Sequence, residues 1–291
     1  MKFPSILLTV LLSIVCSYGV VHYTTHPGLS FSQPIAKETT YQRVIRTGTL
    51  RCGYLLWPPF VTLDENTKKL GGFSYAYAEE IGKSLGLKVT WTEVLSGQQI
   101  ESLRSGKIDA VCGSEGPLMM AASAYLRYAE PMMYVPFYFY TRSGDGRFDH
   151  AIDKANRGDV TMVAMDGDSS LDIANRFFPK AKRDSLTAST PSSQLLLDVV
   201  TKKADLVLDD CFSGVDFLKS NPDTLQLVSM DHPAMIVPLQ ISVLHGEGDL
   251  AAMLSQAILN LRYRGIEDAI FAKIPDAYQS CLYRASSPFK N

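Results

Sequence analysis

The chain has 291 residues, of which 46% are hydrophobic and 20% charged. This is the balance of a globular protein with room for one large or two medium-sized domains. Because 28 basic residues are offset by 30 acidic ones, the formal net charge is only −2. No basic stripe, zinc-finger spacing or RNA-binding motif is present in the sequence, so nucleic acid is not an expected partner.

The N-terminal segment is strongly apolar. Lys2 precedes an apolar run over residues 6–15 that ends in small and polar residues, the arrangement of a secretory signal peptide. Apolar residues continue to Val21, so residues 1–21 could instead remain as a membrane anchor. Cys16 leaves a lipoprotein open, although the residue directly before it, Val15, is not small. All three alternatives place the rest of the chain outside the cytoplasm, after a predicted flexible spacer over residues 22–40.

Four further cysteines lie far apart in the sequence: Cys52, Cys112, Cys211 and Cys281. With no C-x-x-C spacing and no paired histidines, a zinc or redox site is not expected. The cysteines of an exported protein can oxidise, but four cysteines allow three complete pairings and the sequence does not choose among them. Buried free thiols are equally compatible with the sequence.

From Tyr41 onward, predicted strands and helices alternate. A short apolar strand over 50–53 leads into residues 57–60, Trp-Pro-Pro-Phe, where the prolines exclude a helix. An apolar stripe at four-residue spacing predicts a helix from Phe73 to Leu85. A strand around Val89 and Trp91, a helix over 98–104 and a buried strand over 108–112 follow.

A second unit repeats this alternation after a β-prone stretch over 134–141. Its predicted strands are 160–165 and 204–208, its predicted helices 171–178 and 193–201, and the stretch 235–244 is predicted to return to the first unit. Alternating strands and helices indicate an α/β fold on mainly parallel sheets. Ligands bind at the carboxyl ends of such strands, so the loops after Gly53, Cys112, Met165 and Leu208 are the candidate site.

The order and spacing of several motifs resemble one known family, the bacterial family 3 extracellular solute-binding proteins. The motifs are Thr-Gly-Thr-Leu-Arg-Cys-Gly at 47–53, Trp-Pro-Pro-Phe at 57–60, Leu-Gly-Gly-Phe at 70–73, and the segments 103–110, 128–131, 204–210 and 264–266. The resemblance implies a two-lobed type 2 periplasmic binding protein fold, in which each lobe is a mainly parallel sheet flanked by helices and two hinge strands join the lobes. The first lobe would hold residues 41–138, the second lobe 142–236, and residues 238–291 would return to the first.

The resemblance also implies a function. Family members are periplasmic receptors that enclose a polar amino acid between their lobes and deliver it to the membrane permease of an ABC transporter. We therefore expect a monomeric binding protein without a cofactor. A membrane-anchored sensor is the alternative if the N-terminal segment stays uncut. An enzyme on the same scaffold is a lesser alternative, since no catalytic motif is found.

Family receptors pack an aromatic ring on the amino acid, bind its carboxylate with an Arg and accept its ammonium with an Asp. Trp57 and Phe60 match the aromatic segment and Asp210 the acidic position. Each match has a structural alternative: Trp57 could be a core aromatic of the first lobe, and Asp210 could cap a helix that begins near Ser213.

The carboxylate-binding groups of the family are missing. The position of the Arg is occupied by Ala122, and the nearest cation is Arg127. Acids stand where neighbouring donors are expected, at Glu115 beside Ser114 and at Asp168 beside Ser169. An ionised acid cannot donate a hydrogen bond.

Together with Asp209 and Asp210, these acids predict a cleft that disfavours anions. We therefore expect a small polar solute that is cationic or bears an amine, with an aromatic ring adding a cation–π contact. If Glu115 and Asp168 face solvent or cap helices instead, they leave the ligand unaffected.

Overall fold

The computed structural model describes residues 38–95, 97–115, 124–167, 169–187 and 189–285. The predicted signal peptide or anchor, and most of the predicted spacer, lie outside these residues. The described residues from Thr39 onward form one compact unit. Within the described ranges, the helices are all too short or too polar to cross a bilayer.

The described part of the chain alternates strands and helices, as predicted. The helices are α1 (Thr40–Thr47), α2 (Phe73–Leu85), α3 (Gln99–Arg104), α4 (Ser169–Phe177), α5 (Ser193–Val200), α6 (Cys211–Ser220), α7 (Gly248–Tyr263) and α8 (Ile266–Phe271), with 3₁₀ turns at Ile152–Ala155 and Asp276–Cys281. The strands are β1 (Thr49–Tyr54), β2 (Thr62–Leu63), β3 (Leu70–Gly71), β4 (Lys88–Glu93), β5 (Ala110–Glu115), β6 (Leu126–Tyr128), β7 (Met133–Arg142), β8 (Thr161–Met165), β9 (Lys182–Leu186), β10 (Leu206–Asp210), β11 (Leu225–Leu227), β12 (Met235–Leu244) and β13 (Tyr283–Arg284).

The main sheet has the order β4-β1-β5-β12-β7-β10-β8-β9. On one side, β1 pairs in parallel with β4 and β5, and on the other β8 pairs in parallel with β9 and β10. The long strands β7 and β12 stand between these two groups and pair with each other antiparallel. This arrangement confirms the predicted α/β fold with two lobes, hereafter the first lobe (β4, β1 and β5) and the second lobe (β10, β8 and β9), joined by two crossing strands.

The ends of several elements differ from the predictions. Strand β5 covers residues 110–115 instead of 108–112, so Ser114 and Glu115 belong to the strand and not to the predicted loop after Cys112. Strand β10 covers residues 206–210 instead of 204–208, because its antiparallel ladder with β7 continues as far as Asp210, which faces Phe137. Asp209 and Asp210 are therefore the last residues of the strand and not the loop after it. As a result, α6 begins at Cys211 and not near Ser213.

The four cysteines form two disulfides. Cys52 in β1 bonds to Cys112 in the neighbouring strand β5, and both residues are fully buried in the first lobe. Cys211, the first residue of α6, bonds to Cys281 in the C-terminal segment. The first disulfide joins strands of one lobe, whereas the second joins α6 of the second lobe to a segment that follows α8.

Each lobe contains an aspartate that fastens the start of one strand to its parallel neighbour. In the first lobe, the carboxylate of Asp109 accepts the backbone N–H of Arg51 at 2.7 Å and pairs with the guanidinium groups of Arg51 and Arg43. In the second lobe, Asp205 accepts the backbone N–H of Thr161 at 2.9 Å and pairs with two arginines of its own. These aspartates belong to the segments 103–110 and 204–210, so the two motifs have the same structural role.

Candidate ligand-binding site

The loop after β1 carries the aromatic residues predicted for the site. The backbone N–H groups of Phe60 and Val61 both donate to the carbonyl oxygen of Trp57, which closes a tight turn. Phe60 is fully buried, and its ring centre lies 4.5 Å from that of Trp57. Phe60 therefore supports the half-buried indole of Trp57 from beneath.

The start of α2 packs directly against this loop. The backbone N–H groups of Phe73 and Ser74 donate to the carbonyl oxygens of Pro59 and Phe60. Gly72 has a φ of 95°, and a Cβ at this position would lie 2.5 Å from the carbonyl oxygen of Phe60. A side chain would not fit at this approach, which explains the glycine of the Leu-Gly-Gly-Phe motif.

Asp210 lies at the carboxyl end of β10 and is buried. Its Oδ1 accepts the backbone N–H groups of Phe212 at 2.8 Å and Ser213 at 2.9 Å, so the carboxylate caps α6. Its Oδ2 accepts the Ser213 hydroxyl at 2.6 Å. Burial raises the pKa of the Asp210 carboxyl, and the hydrogen bonds that it accepts lower the pKa only in part. The helix-capping alternative considered for Asp210 is thus present in the structure.

Trp57 and Asp210 meet between the lobes. The indole Nε1–H of Trp57 donates to Oδ2 of Asp210 at 3.1 Å. The ring of Phe60 contacts that of Phe212, the second residue of α6, with ring centres 4.7 Å apart. The loop after β1 and the start of α6 therefore form a joint polar and aromatic contact between the two lobes.

The lobes also approach each other at Gly97 and Gly167. Gly97 lies in the loop after β4, and Gly167 follows β8. A Cβ built on Gly167 would lie 3.7 Å from the Cα atom of Gly97, which is van der Waals distance. Two of the loops predicted to form the site, those after β1 and β8, thus lie close to the opposite lobe.

The remaining predicted site residues are placed by their backbone alone. Ser114 and Glu115 end β5 and pair with Gln240 and Leu239 of β12. Ser169 begins α4. The side chains of these three predicted residues, and all of Asp168 and Ala122, lie outside what the structure describes. Their roles in the site stay predictions.

Arg127, the nearest cation to the position of the family's Arg, lies on β6 with an exposed side chain.

Two features near Asp210 were not predicted from the sequence. They are Phe212 and the Cys211–Cys281 disulfide, which lie at the contact between the lobes. Cys211 and Phe212 directly follow Asp209 and Asp210 in the sequence, and this position could have indicated that they lie near the site. In the described residues, no three potential metal ligands come together.

The fold and this contact define a two-lobed binding protein. Residues 50–274 match the family described as bacterial extracellular solute-binding proteins, family 3. Because the match spans more than half of the chain, the chain belongs to this family. No curated protein sequence matches it.

Solved structures with the same fold come from different proteins. The ancestral amino-acid-binding protein AncCDT-1, a precursor of cyclohexadienyl dehydratase, has a TM-score of 0.67 at 22% identity over 81% of this chain and 98% of that one. An ancestral arginine-binding protein bound to arginine has a TM-score of 0.64 at 24% identity over 78% and 97%. The periplasmic VFT2 domain of Bordetella pertussis BvgS has a TM-score of 0.65 at 21% identity over 81% and 97%. At these identities the similarity shows the fold alone.

Proposed function

We propose that this chain is a periplasmic receptor that captures a small polar solute, cationic or bearing an amine, and delivers it to the membrane permease of an ABC transporter. Membership of an extracellular solute-binding family supports the capture of a solute outside the cytoplasm. One structural relative is an arginine-binding protein bound to arginine, which is consistent with a cationic ligand.

One observation carries the amine part of this proposal. The buried carboxylate of Asp210 accepts an N–H donor from the opposite lobe, the indole of Trp57, at 3.1 Å. A buried carboxylate requires donors, and an ammonium that enters between the lobes supplies N–H groups of the same kind with a compensating charge. Half-buried Trp57 would then be free to pack its ring against the ligand cation.

The other predicted site residues extend this proposal. Glu115 at the end of β5 and Asp168 after β8 would add negative charge around the cleft, and the hydroxyls of Ser114 and Ser169 would donate to polar groups of the ligand. Because Ala122 replaces the family's Arg, the site offers no predicted clamp for a carboxylate. We therefore expect acidic amino acids to be poor ligands.

A ligand screen with two matched variants tests the proposal. Thermal-shift and calorimetric titrations would compare arginine, lysine, putrescine and glycine betaine with glutamate and aspartate. We expect stabilisation by members of the first group only. In Asp210→Asn the affinity should fall about ten- to a hundredfold, since a hydrogen bond to a charged group is lost. Asp223→Asn, an equal change of charge at an exposed position with φ 59° that Asn tolerates, is the control.

Stabilisation by the acidic amino acids alone would contradict the proposal. So would equal affinity of the wild type and Asp210→Asn for the same amine. Turnover of a bound compound by the purified protein would instead support an enzyme. One structural relative is a precursor of cyclohexadienyl dehydratase.

A membrane-anchored sensor is the second candidate function. The fold is shared with a periplasmic domain of BvgS, and the direct contact between Trp57 and Asp210 suits a protein whose lobes change their spacing in response to a signal. An adjacent permease and ATPase gene would favour transport. Retention of residues 1–21 in the mature protein together with the absence of such genes would favour the sensor.

A further inference from the structure

The acceptor capacity of Asp210 is filled by the chain itself. An ionised carboxylate has about four acceptor positions. Two accept the backbone N–H groups of Phe212 and Ser213, one accepts the Ser213 hydroxyl, and one accepts the Trp57 indole. The first three donors belong to α6 and stay with Asp210 however the lobes move. Trp57 alone among them comes from the first lobe.

We propose that the Trp57–Asp210 hydrogen bond is a latch that holds the two lobes closed independently of a solute. A ligand ammonium reaches Asp210 by displacing the indole, so Trp57 is an internal competitor that sets which amines bind. The latch does not depend on the proposed function. The competition between Trp57 and an amine for Asp210 rests on that function.

Aromatic packing between the lobes reinforces the latch. Phe60 of the first lobe and Phe212 of α6 are both fully buried, with their ring centres 4.7 Å apart at an interplanar angle of 69°. Edge-to-face pairs of this kind are favourable beyond the area that they bury. Opening the lobes therefore exposes two aromatic rings to water in addition to breaking the Trp57–Asp210 bond.

A C-terminal strap, residues 276–284, fastens α6 close to the latch. At its far end, Arg284 pairs with Asp268 of α8 at 2.7 Å, and its guanidinium lies 4.1 Å from the ring centre of Phe271. Helix α8 packs on the first lobe, where Phe271 contacts Phe73 of α2. The strap is thus anchored to the first lobe.

The middle of the strap is bound to the second lobe. Cys281 forms its disulfide with Cys211, which directly follows Asp210. The hydroxyl of Tyr278 donates to Asp216 on the same helix. The strap therefore ties the start of α6 covalently to a segment held by the first lobe, which keeps Asp210 within reach of Trp57. A tether of this kind raises the effective concentration of the two latch partners.

Variants of the latch can be tested without any ligand. Trp57→Phe removes the indole N–H but keeps a ring against Phe60. Asp210→Asn keeps a good helix cap, but its amide group opposes the indole with a donor. Ser213→Ala removes a donor to the same carboxylate atom without touching the first lobe, and is the matched control.

Small-angle scattering of the purified full-length protein measures the opening. We expect a larger radius of gyration for Trp57→Phe and Asp210→Asn, because the ratio of closed to open molecules falls about ten- to a hundredfold with the loss of the bond. Ser213→Ala should scatter like the wild type. In a Trp91→Phe background, where Trp57 is the only tryptophan, acrylamide should quench Trp57 more strongly when Asp210→Asn is added.

The strap adds a second arm to the experiment. The double change Cys211→Ser and Cys281→Ser should increase the open population, and adding Trp57→Phe to it should increase that population further. Trp57→Phe keeps the Asp210 cap, so it remains informative if Asp210→Asn fails to fold.

Unchanged scattering of both latch variants would overturn the proposal, as would equal opening in Ser213→Ala. A latch that passes these tests while no amine binds would reject the proposed solute and leave the latch intact. If an amine binds but the latch variants do not open, the latch is rejected and the proposed solute stands.

Discussion

The aspartate that fastens β1 in the first lobe allows a quantitative test. Asp109 has a side chain with no exposed surface, and it pairs with Arg43 and Arg51, whose side chains are 20% and 33% exposed. Replacing Asp109 with Asn removes the negative charge and leaves two guanidinium groups without their partner. Breaking a fully buried pair costs about 3–5 kcal/mol. Because both arginines can be partly hydrated, we expect a loss of about 2–3 kcal/mol for Asp109→Asn.

Urea unfolding followed by tryptophan fluorescence measures this loss. Because the indole of Trp57 bonds to Asp210 of the second lobe, the assay uses a Trp57→Phe background, in which Trp91 on β4 is the only tryptophan and reports the first lobe. With a slope of about 3 kcal/mol per molar urea, the midpoint should fall by roughly 0.7–1 M.

The equivalent change Asp205→Asn in the second lobe is the control, and it should leave the fluorescence transition nearly in place. A midpoint for Asp109→Asn equal to that of the wild type would refute the reasoning. So would a fluorescence shift of the same size in Asp205→Asn.

Three other measurements test the packing and electrostatics of the fold. Replacing Cys52 and Cys112 together with Ala should lower the free energy of unfolding by about 4 kcal/mol, since their disulfide closes a loop with a sequence separation of 60 residues; a loss below 1 kcal/mol in denaturant unfolding would contradict this. Tyr77→Phe should cost about 1.5–3 kcal/mol in the same assay, because the hydroxyl donates at 2.7 Å to a buried carboxylate of α8, and a neutral result would mean that the carboxylate finds another donor. The hydrogen bonds from Arg147 lower the pKa of Asp145 below its usual 3.8, so the stability from this pair is present above pH 3.8 and is lost as the pH falls through the lowered pKa. Arg147→Gln should therefore be less stable than the wild type at pH 7 and approach it in acid, and a stability difference that grows in acid would contradict the assignment.

The fold was predictable because its signals are periodic and local. The stripe of apolar residues from Phe73 to Leu85 and the apolar strands set the elements, and strand β12 was predicted with the bounds that the structure shows. Helix α1 was missed, and it begins at the last residue of the predicted spacer. Its signal was present, since Thr39 and Gln42 form a capping box across its first turn.

The site was predictable only where residues match motifs. Trp57 and Asp210 were each predicted from a match to the family's motifs, and the structure brings their side chains together. Their direct hydrogen bond was not foreseen, because which donor reaches a buried acid depends on the spacing between the lobes. The pairing of Cys211 with Cys281 is likewise a property of three-dimensional proximity and was one of three possibilities in the sequence.

The position of β12 in the sheet has a consequence for the order in which the protein folds. This strand completes the first lobe by pairing with β5, yet it follows the entire second lobe along the chain. During synthesis, β4, β1 and β5 must therefore wait with one sheet edge uncovered until residue 244 is made. Such long-range pairing is slow and exposes an edge to aggregation. We therefore expect the second lobe, whose three parallel strands are contiguous in sequence, to reach its native structure first.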